Sequence, residues 1–348
     1  MKRIRLGKSE LLVSRVGFGG IPITRVSCQE AERCIRTAID LGINFIDTAT
    51  GYGDSEEKIG KAIKGHRERL VIATKSPPST PQTMSECIDK SLRQLQIDTI
   101  DLYQFHLIKD QQALEQSLDL LLTLEKARDR GKIRHIGATV HGVDFINNVV
   151  EADVFETVMV ALNFITCEPA QAAIPNALEH DLGVIAMKPM AGGHIEDAYL
   201  AFKYFIGMKN VVPMVGIETP EQIAQIVKIL DDDIPPTSEE LRQMNAMRRE
   251  SGSHFCRRCE YCMPCKQGVQ IFPLTIFRSL GRRFPAESVV KGGWASAIQS
   301  LDNCIQCREC EHKCPYDLDI MGIFEDSKAY YHELCEQLDP AHRQDSQP

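Results

Sequence analysis

Hydrophobic residues along the first 230 or so positions follow two rhythms in alternation. Short, nearly continuous apolar runs bounded by Gly, Asp or Asn predict strands covered on both faces. Longer stretches in which apolar positions return every three or four residues predict helices with one buried face. The strands expected are Val16–Gly19, Ile43–Ile46, Leu70–Lys75, Ile100–His106, Ile133–Ala138, Thr157–Leu162, Val184–Met187 and Val211–Val215. The first intervening helix starts at Ser27, which forms a capping box with Glu30, and Gly42 closes it. Further helices are expected over Ser55–Lys64, from a second capping box at Thr83 and Glu86, over Gln111–Arg130 up to Gly131, and over Asp144–Glu151, Pro169–His180, Ile195–Ile206 and Thr219–Leu230. A hairpin, Ile4–Val13 around Gly7-Lys8, precedes them. Eight strand–helix units in this length argue for a (β/α)8 TIM barrel. An open doubly wound sheet would carry a glycine-rich G-x-G-x-x-G turn opening a helix, and the chain has none.

The alternation stops at Asp231-Asp232-Asp233-Ile234-Pro235-Pro236, which reads as a linker, and a helix over Ser238–Glu250 leads into a cysteine-rich segment. The expected layout is a barrel over 1–235, a linker helix over 236–250, a mostly helical cysteine-rich domain over 251–334 and a polar tail over 335–348. With 43% hydrophobic and 25% charged residues, the 348-residue chain has an ordinary globular composition. Its net charge of −8 gives no reason to expect nucleic acid or an anionic membrane as partner. The opening MKRIRLGKSE has no apolar stretch behind it and no run approaches a membrane span, so a cytoplasmic location is expected.

Of 13 cysteines, eight fall between Cys256 and Cys314. Such clustering in a chain without secretion signals points to metal rather than disulfides. The scattered ones, Cys28 and Cys34 above all, read as small core residues. The two quartets are Cys256-x2-Cys259-x2-Cys262-x2-Cys265 and Cys304-x2-Cys307-x2-Cys310-x3-Cys314-Pro315. The second fits the bacterial ferredoxin run, in which three cysteines wrap one cubane and the fourth, before proline, serves another. Two [4Fe–4S] clusters with crossed ligation follow: Cys256, Cys259, Cys262 and Cys314 on one, Cys304, Cys307, Cys310 and Cys265 on the other. The first quartet is one residue short before Cys265, and zinc is the alternative metal. From Arg248 to Lys291 nine Lys/Arg face three acids, a local +6. Those cations offset the roughly −4 of two oxidised clusters, and they would equally suit docking of an acidic electron carrier.

Three predicted strands end in polar residues: Asp47, with Tyr52 in the glycine-flanked loop beyond it, Lys75, and His106. The carboxyl ends of parallel strands are where barrels carry their chemistry. The stretches NFIDTATGYG, VIATK, SLRQLQIDTIDLYQFH and GKIRHIGAT resemble, in order, segments of the aldo-keto reductases. The resemblance implies a catalytic tetrad in which Tyr52 is the general acid, Lys75 stabilises its phenolate, Asp47 supports Lys75 and His106 orients a carbonyl. It also implies an amino-terminal hairpin plugging the barrel and a nicotinamide cofactor, NADH or NADPH, for reduction of a small carbonyl or oxidation of an alcohol. Thr139 stands, in Thr139-Val140-His141, where the family usually has Ser-Asn near the nicotinamide amide. Asn163 matches a polar residue of the same pocket, and Lys188–Gly193 resembles the loop beside the pyrophosphate. The segment from Gly216 to Ile226 resembles the adenosine loop. It carries Gly216, Gln222 and Ile226 where NADPH-specific relatives have 2′-phosphate and adenine contacts, so weak preference for NADPH is expected. A branch of that superfamily carries a similar cysteine module. A flavin is not excluded by motif, so two other readings stay open: an electron-transfer flavo/iron–sulfur protein, and a cluster-based sensor in which the barrel runs no hydride chemistry.

Overall fold

Eight short strands, buried along most of their length and alternating with helices, close the first part of the chain into a barrel. Strands β3 (Gly17–Gly19), β4 (Phe45–Asp47), β5 (Val71–Ser76), β6 (Ile100–Ile108), β7 (Ile133–Val140), β8 (Thr157–Ala161), β9 (Gly183–Met187) and β10 (Val211–Gly216) are all parallel, and β10 pairs with β3 to complete the ring. The computed structural model describes residues 1–108, 111–140, 144–167, 172–251, 255–256, 262–314 and 317–338. Earlier strands β1 (Arg3–Arg5) and β2 (Leu12–Ser14) form the expected antiparallel hairpin. Its Leu6 and Val13 are fully buried in a core that takes in Phe45, Val71, Leu102 and Met159. Gly7 has φ 54, and a Cβ there would come within 2.1 Å of the Gly183 nitrogen at the start of β9. The hairpin therefore sits against the amino ends of the strands, leaving the carboxyl ends open for chemistry.

Several helices begin or end where local chemistry, rather than apolar period, dictates. Ser27 and Glu30 make the expected capping box on Cys28–Asp40, and Gly42 (φ 90) follows its end. A second box, Thr219 with Gln222, opens Pro220–Asp232. The helix after β5 does not start at a Thr83–Glu86 box. It starts at Pro81, with Thr80 accepting the Thr83 N–H, while Glu86 instead receives Gln82 Nε2 at 2.9 Å. Proline at the first helical position supplies a fixed φ and lacks only an N–H that would have had no helical partner. Likewise Asp197, capping Leu200, starts the next-to-last barrel helix at Ala198 rather than Ile195. The predicted Gln111–Arg130 is two helices, Gln111–Asp119 and Leu121–Asp129, parted at Leu120. Ser117 Oγ donates back to Ala113 O at 2.7 Å, a bond that bends helices. Cys34 is buried as expected, but Cys28, at the exposed first helical position, is not a core residue. Of the predicted Pro169–His180 helix, residues 169–171 lie outside the described part, and Ile174–Glu179 is helical.

The chain divides into two compact units. The first comprises Met1–Ala191 and Ile195–Leu241, and the second Gly192–His194 and Arg242 onward, so the division falls within the helix Ser238–Ser251. Described elements of the second unit are helical, and its core gathers Leu274, Phe277, Val289, Ile320 and Phe324. Its last helix, Ile320–Leu338, includes Cys335, where a polar tail is expected to begin. No helix among the described residues is long and apolar enough to cross a membrane.

Candidate active site and cluster domain

Register along β4, β5 and β6 determines what reaches the open mouth. Phe45 lies beside Val71, Asp47 beside Ala73, and Lys75 beside Gln104. Within β5, Val71 and Ala73 belong to the interior core, whereas Thr74 and Ser76 bond outward to Glu56 (2.7 Å) and Met84 (3.2 Å) in the helix layer. Lys75 therefore points inward, one step above Ala73. The same parity on β6 places Leu102, Gln104 and His106 inside at successive heights, with Tyr103 outside on Ser76.

The ammonium of Lys75, 2% exposed, is the centre of this site. It donates to Asp47 Oδ2 at 2.5 Å and to the Thr48 carbonyl at 2.8 Å, and it stands 5.0 Å from the Tyr52 ring centroid. Asp47, 4% exposed, has its other oxygen bonded by Gln104 Nε2 at 2.9 Å. Burial alone would lower the Lys75 ammonium, but the charge of Asp47 and then the Tyr52 oxygen more than reverse this, holding it above its ordinary value. Lys75 is thus a permanent cation inside the barrel. The His106 ring meets Tyr52 edge-on with centroids 5.9 Å apart. Burial first, then the charges of Lys75 and Lys188, push the His106 imidazole down to about 3. It is neutral over the whole working pH range, so it can orient an oxygen by hydrogen bonding but is not a cationic acid. All four residues picked from sequence thus meet at one mouth.

The residues expected around a nicotinamide end the next four strands, each with some hydrogen bonding already committed. Thr139 Oγ1 accepts the Leu107 N–H at 2.7 Å, which leaves its own O–H free to donate. Asn163 accepts from Ile165 N (2.9 Å) and Thr166 N (2.8 Å) and donates to Lys188 O (3.0 Å), so one amide N–H is left over. Lys188 itself begins a turn with φ 59. Gly216 ends β10 where a Cβ would meet Pro22 Cγ at 2.6 Å. Just beyond it Gln222 accepts the N–H groups of Glu218 and Thr219, and Glu218 pairs with Arg25 at 3.2 Å. That helix start is already capped by its own side chains. A hydroxyl, a spare amide N–H and a lysine at consecutive strand ends fit an amide-bearing, anionic cofactor. His141 lies outside the described residues.

In the second unit, Cys265, Cys304, Cys307 and Cys310 line one cavity, which Cys262 also borders. Gln306 and Arg308, at φ 56 and 58, curl the chain between Cys304, Cys307 and Cys310 so that all three face it. Cys256, Cys262 and Cys314 pack against the unit's apolar core; Cys259 and Pro315 lie outside the described residues. Among the described residues no three His, Cys, Asp or Glu converge as ligands of a single ion would. Thiols spread round a cavity fit a cubane, which offers a separate iron to each sulfur.

Sequence comparison agrees with both units. Residues 15–202 match the Aldo/keto reductase family and residues 255–319 a 4Fe-4S dicluster domain. The chain belongs to the aldo/keto reductase family. It is 31% identical over 207 residues to an L-galactose dehydrogenase of Arabidopsis thaliana, covering 54% of this chain and 65% of that one. An uncharacterised oxidoreductase of Bacillus subtilis, YqkF, is 29% identical over 208 residues, covering 56% and 66%. The chain thus spans just under two thirds of the length of these relatives. Among solved structures, an aldo-keto reductase from Klebsiella pneumoniae in complex with NADPH superposes with a TM-score of 0.60 at 25% identity, over 71% of this chain and 95% of that one. One from Bacillus halodurans, in its holo form, gives 0.62 at 24% over 71% and 96% and supports the fold.

Proposed function

We propose that the barrel transfers hydride between a nicotinamide cofactor and a small carbonyl or alcohol, with Tyr52 as the general acid. The observation that carries this is the Lys75 ammonium, fixed by Asp47 on one side and set against Tyr52 on the other. A reduced nicotinamide, when bound, supplies the hydride. As negative charge develops on the carbonyl oxygen, Tyr52 gives up its phenolic proton to it, and the phenolate left behind is stabilised by Lys75. Asp47 keeps Lys75 charged and in place. His106, neutral, hydrogen-bonds the carbonyl oxygen and aims it at Tyr52. Thr139, Asn163 and Lys188 are the residues that would hold the cofactor's amide and anionic portion, with Gly216 leaving room beside Pro22. Tyr52→Phe removes only the proton donor, so it should abolish reduction while nicotinamide still binds. A near-parental ketone reduction rate in that variant would refute the assignment.

In the second unit we assign two [4Fe–4S] clusters, one on Cys304, Cys307, Cys310 and Cys265, the other on Cys256, Cys259, Cys262 and Cys314. Cys265 lines the same cavity as Cys304, Cys307 and Cys310, as the crossed set requires, and Cys262 of the other set lines it too. These clusters serve folding or one-electron exchange with a carrier protein; Lys266, Arg308 and Lys313 line the same cavity, the two lysines sharing Glu309, and this excess of cations would favour an acidic one.

A further inference from the structure

Gln104 is the polar side chain at the inward position directly below His106, and it is fully buried. Its Nε2 holds Asp47 Oδ1 at 2.9 Å while Lys75 holds Oδ2. The carboxylate is therefore gripped at both oxygens and cannot turn about its Cβ–Cγ bond without losing a partner. The other end of the same amide behaves differently. Among the described residues Gln104 Oε1 has no hydrogen-bond partner, and neither has Thr157 Oγ1. Both lean on Gly137, where a Cβ would come within 2.2 Å of Thr157 Oγ1 and 3.2 Å of Gln104 Cγ. A leucine or methionine would fill this layer without burying an unpartnered carbonyl, but it would leave Asp47 Oδ1 without its donor. What the amide adds to the layer is the N–H directed at Asp47.

We propose that Gln104 is a positioning residue for the hydride-transfer site, locking the Asp47 carboxylate so that Lys75 is held against Tyr52. The role rests on the reading of Tyr52, Lys75, Asp47 and His106 given above. Gln104 acts through Asp47 and touches neither substrate nor cofactor. The charged group acting on the Asp47 carboxyl is Lys75; Tyr52 acts in turn on Lys75, and Lys75 and Lys188 act on His106. Burial holds the Asp47 carboxyl above its ordinary range, opposed first by the charge and hydrogen bond of Lys75 and then by the Gln104 amide.

Gln104→Met keeps the volume and removes the donor. It should lower kcat by about tenfold or more with KM for the carbonyl little changed, the signature of an interaction made for the transition state. The acidic limb of the pH–rate profile should move to higher pH, because Asp47 now protonates earlier. Urea stability near neutral pH should fall, because a buried carboxylate oxygen loses its donor, and the loss should shrink as pH falls and Asp47 protonates. Gln104→Glu should recover rate as pH falls, when a protonated carboxyl again donates to Asp47. Parental kcat and pH profile in Gln104→Met would overturn the proposal, as would a rate loss tracking lost stability with an unmoved profile. Tyr52→Phe is assayed in parallel. Parental turnover there would overturn the hydride-transfer reading itself, whereas its loss beside an unchanged Gln104→Met overturns the role of Gln104 alone.

Discussion

Asp47→Asn tests most directly whether the cation in the barrel depends on its partner. Asparagine keeps an oxygen to accept from Gln104 but removes the charge that Lys75 answers at 2.5 Å. Lys75 is then an ammonium, 2% exposed, with the Thr48 carbonyl and Tyr52 for company. Breaking one side of a buried pair costs about 3–5 kcal/mol, because the other charge is left uncompensated. Adding Lys75→Met, which matches the lysine stem and removes the ammonium, should recover most of that loss and bring the double variant within about 1–2 kcal/mol of the parent. A second signature lies in pH. If unpaired Lys75 sheds its proton in the folded state, the unfolded chain binds more protons than the folded one up to the ordinary lysine value near 10.4. The variant's stability then rises with pH through that window by about 1.4 kcal/mol per unit. Urea unfolding followed by far-UV circular dichroism reads the barrel; the single tryptophan, Trp294, lies in the second unit and its fluorescence reads that unit instead. A cost below about 1 kcal/mol for Asp47→Asn, or a double variant no better than the single, would refute the reasoning that a fully paired charge is buried here.

His106 should contribute no step near pH 6.5 to the pH–rate profile, because its imidazole is already neutral well below that. Since its folded value is about 3, the unfolded chain binds the extra proton between roughly pH 3 and 6.5, so this group subtracts stability as pH falls through that window. His106→Phe should flatten the acid side of the urea-stability curve, and an unchanged curve would contradict it. In fluorescence titrations NADH should bind at least as tightly as NADPH, because Gln222 is spent on capping the helix start and the nearby Arg25 is already paired with Glu218 at 3.2 Å, where it would have to give up a carboxylate to take a 2′-phosphate. Tight binding of NADPH alone would place that clamp elsewhere. Anaerobically purified protein should carry about eight irons and eight sulfides per chain. Cys310→Ser should lose one cluster and shift Trp294 fluorescence while the barrel's circular dichroism persists; zinc without sulfide would exclude the ferredoxin reading.

What could be read from sequence follows the strength of the local rule. Alternation and strand-end polarity placed Asp47, Lys75 and His106 at one mouth, because parity in a parallel barrel leaves an inward residue little choice. Helix starts were legible where one capping pair stood alone, as at Ser27 and Glu30, and misread where Thr80-Pro81 competed with Thr83 three residues on. The break at Leu120 has neither Gly nor Pro to announce it, and the back-bond from Ser117 is invisible without coordinates. Asn163 was found by position, yet two of its four hydrogen-bonding capacities go to the loop it sits in and a third to the Lys188 carbonyl after the next strand. Gln104 was overlooked although its parity with Leu102 and His106 was available; an amide at an inward position two residues before a strand-end histidine was the signal. Its partner on Asp47 becomes evident only when β4 and β6 are brought together across β5.

Electron counting limits how the two units can cooperate. Hydride carries two electrons at once, whereas a [4Fe–4S] cluster exchanges them singly, and exchange between the two needs a converter such as a flavin. The barrel interior described here is built around an ammonium, a carboxylate and a phenol, a set suited to moving one proton in step with one hydride. Nothing in that chemistry produces single electrons. The cluster unit, for its part, has an apolar core onto which six of the eight cysteines between Cys256 and Cys314 pack. Over the short stretch from Cys256 to Cys314, metal–thiolate bonds can supply folding free energy that burial alone does not. The two chemistries therefore run separately in the proposed function: carbonyl reduction in the barrel, with the clusters stabilising their own unit or passing electrons to a carrier that meets the cavity at Cys307 and Ile305, both exposed. A bound flavin would reverse this conclusion. The absorbance spectrum of the anaerobic protein, which separates flavin from cluster bands, is where that reversal would first be seen.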